Sequence, residues 1–162
     1  MADVSKDESS TAKGSVAANN IGAATKIAAA QKSVATQKIA VRHFAGHASH
    51  VDHFDSPVRV VHLTDQHVGR ITSLDLQFAA VDAANAAAAD VVLLTGDFVC
   101  HSQEYLEDLA EVIRRFQAPV FCVLGNHDHW SGAQVVAKTL MHAGAEVLRN
   151  QWTSFDVRGQ HL

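Results

Sequence analysis

Three short apolar runs, each broken off by residues that can bind a metal, constrain this chain more than any other feature. Val58-Arg59-Val60-Val61-His62-Leu63 leads into Thr64-Asp65-Gln66-His67. Val91-Val92-Leu93-Leu94 leads into Thr95-Gly96-Asp97, and Val120-Phe121-Cys122-Val123-Leu124 into Gly125-Asn126-His127-Asp128. Runs this short and this rich in valine read as strands. Between them lie segments of helical period. Leu74, Phe78 and Val81 follow a cap at Thr72 or Ser73, and the Ala-rich stretch Ala83–Ala89 continues that helix. Leu106, Leu109, Ile113 and Phe116 follow a cap at Ser102 and precede Pro119. A third helix is expected from near Ser131, through Val135, Val136 and Leu140, to Gly144. Val147-Leu148 starts a fourth strand, and Thr153, Phe155 and Val157 alternate as a fifth.

Strands and helices that alternate with such short links imply an α/β fold with a mostly parallel sheet and flanking helices. In such sheets ligands bind outside the carboxyl ends of the strands. The three polar clusters therefore fall on one sheet edge. One Asp after a strand carries little information, but three adjacent loops of Asp, Asn and His exceed what helix capping requires. Oxygen and imidazole donors without thiolate suit Mn, Fe or Zn. Gly96 and Gly125 allow close backbone approach or positive φ. No Gly-rich loop ending in Lys-Ser/Thr is present, so a nucleotide-binding P-loop is excluded.

The segments LTDQHVGR, LLTGDFV and VLGNHDHW resemble the calcineurin-like metallophosphoesterase superfamily, whose motifs read D-x-H, G-D and G-N-H-D. The resemblance runs from about Pro57 to Gln151, and the Gly-Asn-His-Asp element is its most specific part. It implies the N-terminal half of a four-layer α/β/β/α fold. It also implies a metal-dependent phosphoester hydrolase, mono- or diesterase, that uses two divalent metal ions and a bridging hydroxide. Asp65 and His67 would bind the first metal, Asp97 would bridge both, and Asn126 would bind the second. His127 would assist the leaving oxygen, and Asp128 would orient that imidazole. The family supplies further histidines from later loops, including a G-H-x-H element that these 162 residues do not contain. The resemblance thus implies a partial domain at 56–162 that lacks much of the second sheet. The alternative is a catalytically incomplete fragment or interaction module that keeps half the fold.

Composition bounds the rest. Residues 1–55 read as a low-complexity tail, poorest in large apolar side chains from Met1 to about Gln37. Ile27, Val34 and Val41 at heptad spacing leave a partner-stabilised helix open, and Ile39–Phe44 leaves an edge strand open. A net charge of -4 argues against a dedicated nucleic-acid surface. The expected partner is a phosphoester small molecule or nucleotide. No apolar run approaches the ~20 residues that span a bilayer. With no secretory layout and no cysteine framework, the chain reads as soluble and cytoplasmic. His62, His101 and Arg70 read as ordinary strand, loop and surface residues, and His129 as a loop residue or a substrate contact in equal measure. His43, His47, His50 and His53 read as solvated tail histidines. Cys100 and Cys122 read as small buried hydrophobes, and Trp130 and Trp152 as packing residues, with Trp130 bordering the site.

Overall fold

The computed structural model describes residues 39–51 and 53–162. The tail expectation for Met1–Gln37 lies outside these. Residues 39–47 have no regular structure, so Ile39–Phe44 is not a strand, and a short helix α1 (Ala48–Val51) follows. The body alternates strand and helix: β1 (Val60–Leu63), α2 (Leu74–Ala86), β2 (Val91–Thr95), α3 (Leu106–Arg114), β3 (Val120–Val123), α4 (Asn126–His142) and β4 (Glu146–Val147). A hairpin of β5 (Asp156–Val157) and β6 (Gln160–His161) ends it.

The four body strands form one parallel sheet in the order β1-β2-β3-β4. Each strand steps to the next position in the same direction. Right-handed crossovers then put α2, α3 and α4 on one face. The register places Val61, Leu63, Val92, Leu94, Val120, Cys122 and Val147 on that face. They pack with Leu109 and Ile113 of α3 and Val136 and Leu140 of α4 into the core. Leu94, Leu109 and Leu140 are fully buried, and truncating such a leucine to alanine typically costs about 2–5 kcal/mol.

The opposite face carries Val60, Leu93 and Val123, all exposed, and an exposed His62–Thr95 hydrogen bond of 2.7 Å. Phe155, just before the hairpin, covers Phe121 there, with ring centroids 5.1 Å apart. Among the described residues no second sheet of more than two strands lies on this chain. This accords with the partial α/β domain read from the motifs.

Several boundaries differ from expectation for local reasons. Ser73 caps α2 by accepting from the Leu76 amide at 3.4 Å. That helix stops at Ala86, and Ala88 turns left-handed at φ 50. Ser102 does not cap α3; its hydroxyl accepts from the Glu104 amide in the lead-in turn, and the helix begins at Leu106. Asn85 ties α2 to the end of α3 by donating to the Arg115 carbonyl and accepting from the Gln117 amide. The fifth strand does not join the main sheet. Arg158 and Gly159, at φ 50 and 80, form a two-residue turn that folds it onto β6.

Arg158 anchors this hairpin to the body by pairing with Asp90 and donating to the Pro57 carbonyl. The Arg158 guanidinium and the Arg59 amide hold the Asp90 carboxyl below its ordinary pKa. A lowered folded pKa gives stability that is complete above about pH 5 and lost as pH falls through the folded value. Arg158→Ala should therefore speed amide exchange at Val157 and Gln160 at neutral pH. The stability gap between the native chain and this variant should shrink on acidification. A gap that widens as pH falls would contradict the pairing.

Candidate metal centre

Each ligand-type residue sits just past the carboxyl end of a strand, and the backbone there is bent unusually. Asp65, His67 and Asp97 all have positive φ, at 53, 42 and 54. Non-glycine residues rarely adopt this region, and such positions cluster at functional sites. The bends persist because the loop after β1 extends the parallel ladder onto the loop after β2. The amides of Asp65, His67 and Val68 donate to the carbonyls of Gly96, Asp97 and Phe98 at 3.2, 2.9 and 2.8 Å. The buried Gln77 side chain donates to the Gln66 carbonyl and fixes the loop from the α2 side.

The third segment is helical, not a loop. Asn126, His127 and Asp128 form the first turn of α4, which begins five residues before the Ser131 start read from the sequence. The helix is broken at Gly132, φ 107. Gly125, the residue before α4, has no side chain with which to cap it. Asp128 reaches back instead, accepting from the Gly125 amide at 2.8 Å through Oδ2. Its Oδ1 accepts from the amides of Phe98 and Val99 at 2.8 and 3.2 Å. Asp97 caps the same turn by accepting from the His127 amide at 3.0 Å.

Asp128 thus has a different task from the one expected. Its carboxylate is fully buried and bonds backbone amides of two loops rather than the His127 ring. Burial raises its pKa, and the amide bonds partly offset this. Burial, then the Asp128 charge, pushes the Cys122 thiol up to about 12. Cys122 is therefore an inert core residue.

Glycines set the close approach. A Cβ on Gly125 would lie 2.1 Å from Asp97 Oδ1, and one on Gly96 would lie 2.5 Å from the Gly125 nitrogen. No larger residue fits at either position without moving the Asp97 loop.

The donors of Asp65, His67 and Asp97 lie within 4.8 Å of one another. Asp65 Oδ1 is 3.9 Å from His67 Nε2, and Thr64 donates to Asp65 Oδ2 at 2.7 Å. The His67 and His127 rings meet edge-on with centroids 4.8 Å apart. Asn126 is exposed in the same first helical turn as His127. Two carboxylates and an imidazole suit a divalent cation. His67 Nδ1 is buried without a hydrogen-bond partner, as is Gln66 Oε1. The residues therefore fit a metal.

A model of the calcineurin-like phosphoesterase family matches residues 58–158. The chain belongs to that family. Among curated relatives, the phosphodiesterase YaeI of Escherichia coli is 32% identical over 109 residues, 60% of this chain and 38% of that protein. The uncharacterized metallophosphoesterase YkuE of Bacillus subtilis is 27% identical over 115 residues, 68% and 40% respectively. An uncharacterized metallophosphoesterase of Helicobacter pylori is 27% identical over 104 residues, 63% and 28%. The chain therefore spans less than half the length of these relatives.

Sequence reasoning missed two neighbours of the site, His101 and Cys100, and placed Trp130 only at its border. His101, at φ 52, sets its ring 4.7 Å from His127 and stacks on Trp130 at 5.2 Å and 9°. Trp130 is 63% exposed, so it borders the site rather than packing in the core. Trp152 is more exposed still. Cys100 is half-buried, with Sγ 3.7 Å from His127 Nδ1. The runs of His, Cys and Trp after the motifs were visible, but their convergence depends on the turn after Asp97.

Asp128→Ala should leave the buried amides of Phe98 and Val99 and the half-buried amide of Gly125 without this acceptor, at about 1–3 kcal/mol for each buried one before relaxation. Urea unfolding should show a loss of about 3 kcal/mol or more. His127→Ala, which keeps its backbone bond to Asp97, should lose less than about 1 kcal/mol. Equal losses would refute the scaffold role of Asp128.

Proposed function

We propose that this chain carries the N-terminal part of a dinuclear metal centre that hydrolyses phosphoesters. One observation carries the reading: the donors of Asp65, His67 and Asp97 fall within 4.8 Å of one another, beside His127, in a member of this family. Asp65, His67 and Asp97 would hold one cation, and Asp97 and Asn126 would share in a second. Divalent cations of the Mn, Fe or Zn type, when bound, would supply Lewis-acid activation of water and neutralise phosphoryl oxygens.

The protein's own residues do the rest. The site lies at the N-terminal end of α4, whose positive dipole end favours an anionic phosphoryl group. His127, in the first turn of that helix, is placed to protonate the departing oxygen, a task an imidazole performs near neutral pH. Asp128 holds the turn that carries His127 and so acts on the reaction through position. Asp97 both caps the turn and offers its carboxylate to the site. The naming of the Escherichia coli relative as a phosphodiesterase favours phosphodiesters as the substrate class. Asn126 and Asp97 are a small donor set for a second cation, so full turnover is expected to need donors beyond those on these residues.

The test uses the natural full-length protein with bis(p-nitrophenyl) phosphate and p-nitrophenyl phosphate. Manganese should support hydrolysis of the diester, and a chelator should abolish it reversibly. Asp97→Asn should lower turnover at least about 100-fold together with metal content. His127→Ala should lower turnover about 100-fold or more while metal content stays near native. Chelator-resistant hydrolysis, or native turnover in Asp97→Asn, would overturn the reading.

A further inference from the structure

Two triads of possible ligands share His67. One is the oxygen-rich set Asp65, His67 and Asp97; the other is His67, Cys100 and His127, whose donor atoms also lie within 4.8 Å of one another. The second set differs in chemistry. All three of its residues are half-buried, whereas Asp65 is exposed. It offers two imidazoles and a thiol, the donors that select zinc-like, thiophilic cations over harder ones. One of its pairs, Cys100 Sγ and His127 Nδ1, is 3.7 Å apart. Tetrahedral zinc with ordinary Zn–S and Zn–N bonds holds such donors about 3.6 Å apart. The third member, His67, is shared with the oxygen-rich set, and its Nδ1 is buried with no hydrogen-bond partner among the described residues. His101 and Trp130 flank the His127 ring and limit its rotation away from Cys100.

We propose that His67, Cys100 and His127 form a second site, overlapping the first at His67, for a thiophilic divalent cation of the zinc and cadmium class. The site is of the three-ligand type that leaves a fourth position open. Binding replaces the Cys100 S–H bond with a sulfur–metal bond and releases that proton to solvent; both imidazoles bind neutral, and nothing is oxidised or reduced. Occupancy draws His67 from the oxygen-rich triad and engages His127. Zinc or cadmium would then oppose a harder cation such as manganese at the neighbouring site. That consequence for turnover rests on the phosphoesterase reading above; the binding site does not.

Cadmium alone is the probe, because cadmium–thiolate bonds give an ultraviolet charge-transfer band that imidazole and carboxylate ligands do not. The full chain is titrated with Cd2+, with circular dichroism as the fold control. The native chain and Cys122→Ser should develop the band to saturation at one equivalent. Cys100→Ser and Cys100→Ala should lack it. His127→Ala and His67→Ala should keep a weaker thiolate band with at least about tenfold lower Cd2+ affinity. Manganese binding by Cys100→Ser should match the native chain. A band that survives in folded Cys100→Ser, or one unchanged in affinity in both histidine variants, would overturn the site. Absence of manganese-dependent phosphoester hydrolysis in cadmium-free protein, beside an intact cadmium band in the titration, would overturn the catalytic reading alone.

Discussion

The site depends on one buried carboxylate. Asp128 is fully enclosed, yet it accepts from the amides of Phe98 and Val99 on one loop and Gly125 on another. These amides belong to the turns that follow β2 and β3. Without an acceptor they would be buried donors with no partner, which proteins avoid. The carboxylate is itself desolvated, so its charge is tolerable only while the amides surround it. This reciprocal need fixes the two turns together. It also explains why the helix that carries Asn126 and His127 starts immediately after β3 rather than later.

The next constraint follows from that lock. With the turns this close, only glycine fits at 96 and 125, and Asp97 is driven into a left-handed backbone that turns its carboxylate toward the His127 amide. The loop after β1 is drawn into the same geometry by its ladder onto Gly96, Asp97 and Phe98. Asp65, His67 and Asp97 therefore pay for their unusual backbone in a shared network rather than singly. A metal-binding edge needs such preorganisation, because ligands of like charge repel until a cation arrives. The core beneath, from Val92 and Leu94 to Leu109 and Leu140, keeps the strand ends in register.

Much of this was legible in the sequence. Valine-rich runs marked β1, β2 and β3, and the spacing of Leu109 and Ile113 marked the buried face of α3. The edge on which Asp65, His67, Asp97 and His127 meet followed from the alternation of strands and helices, which puts the carboxyl ends of parallel strands on one side. Three things were hidden. Gly-Asn-His-Asp has no conventional capping side chain at its start, so α4 was placed too late; the cap comes from Asp128 and Asp97. Ser102 stands where a cap would, but a local bond to Glu104 satisfies it. Cys100 looked like a core residue because its neighbour His127 is distant in sequence and the turn after Asp97 brings them together.

The central claim is that Asp65, His67 and Asp97 hold a divalent cation at the sheet edge. Crystals grown with manganese and measured for anomalous scattering test it directly. The account predicts a peak at about 2.0–2.3 Å from a donor atom of each of the three residues, absent in Asp97→Asn crystals. A manganese peak elsewhere on the chain, or an undiminished peak in the variant, would contradict it.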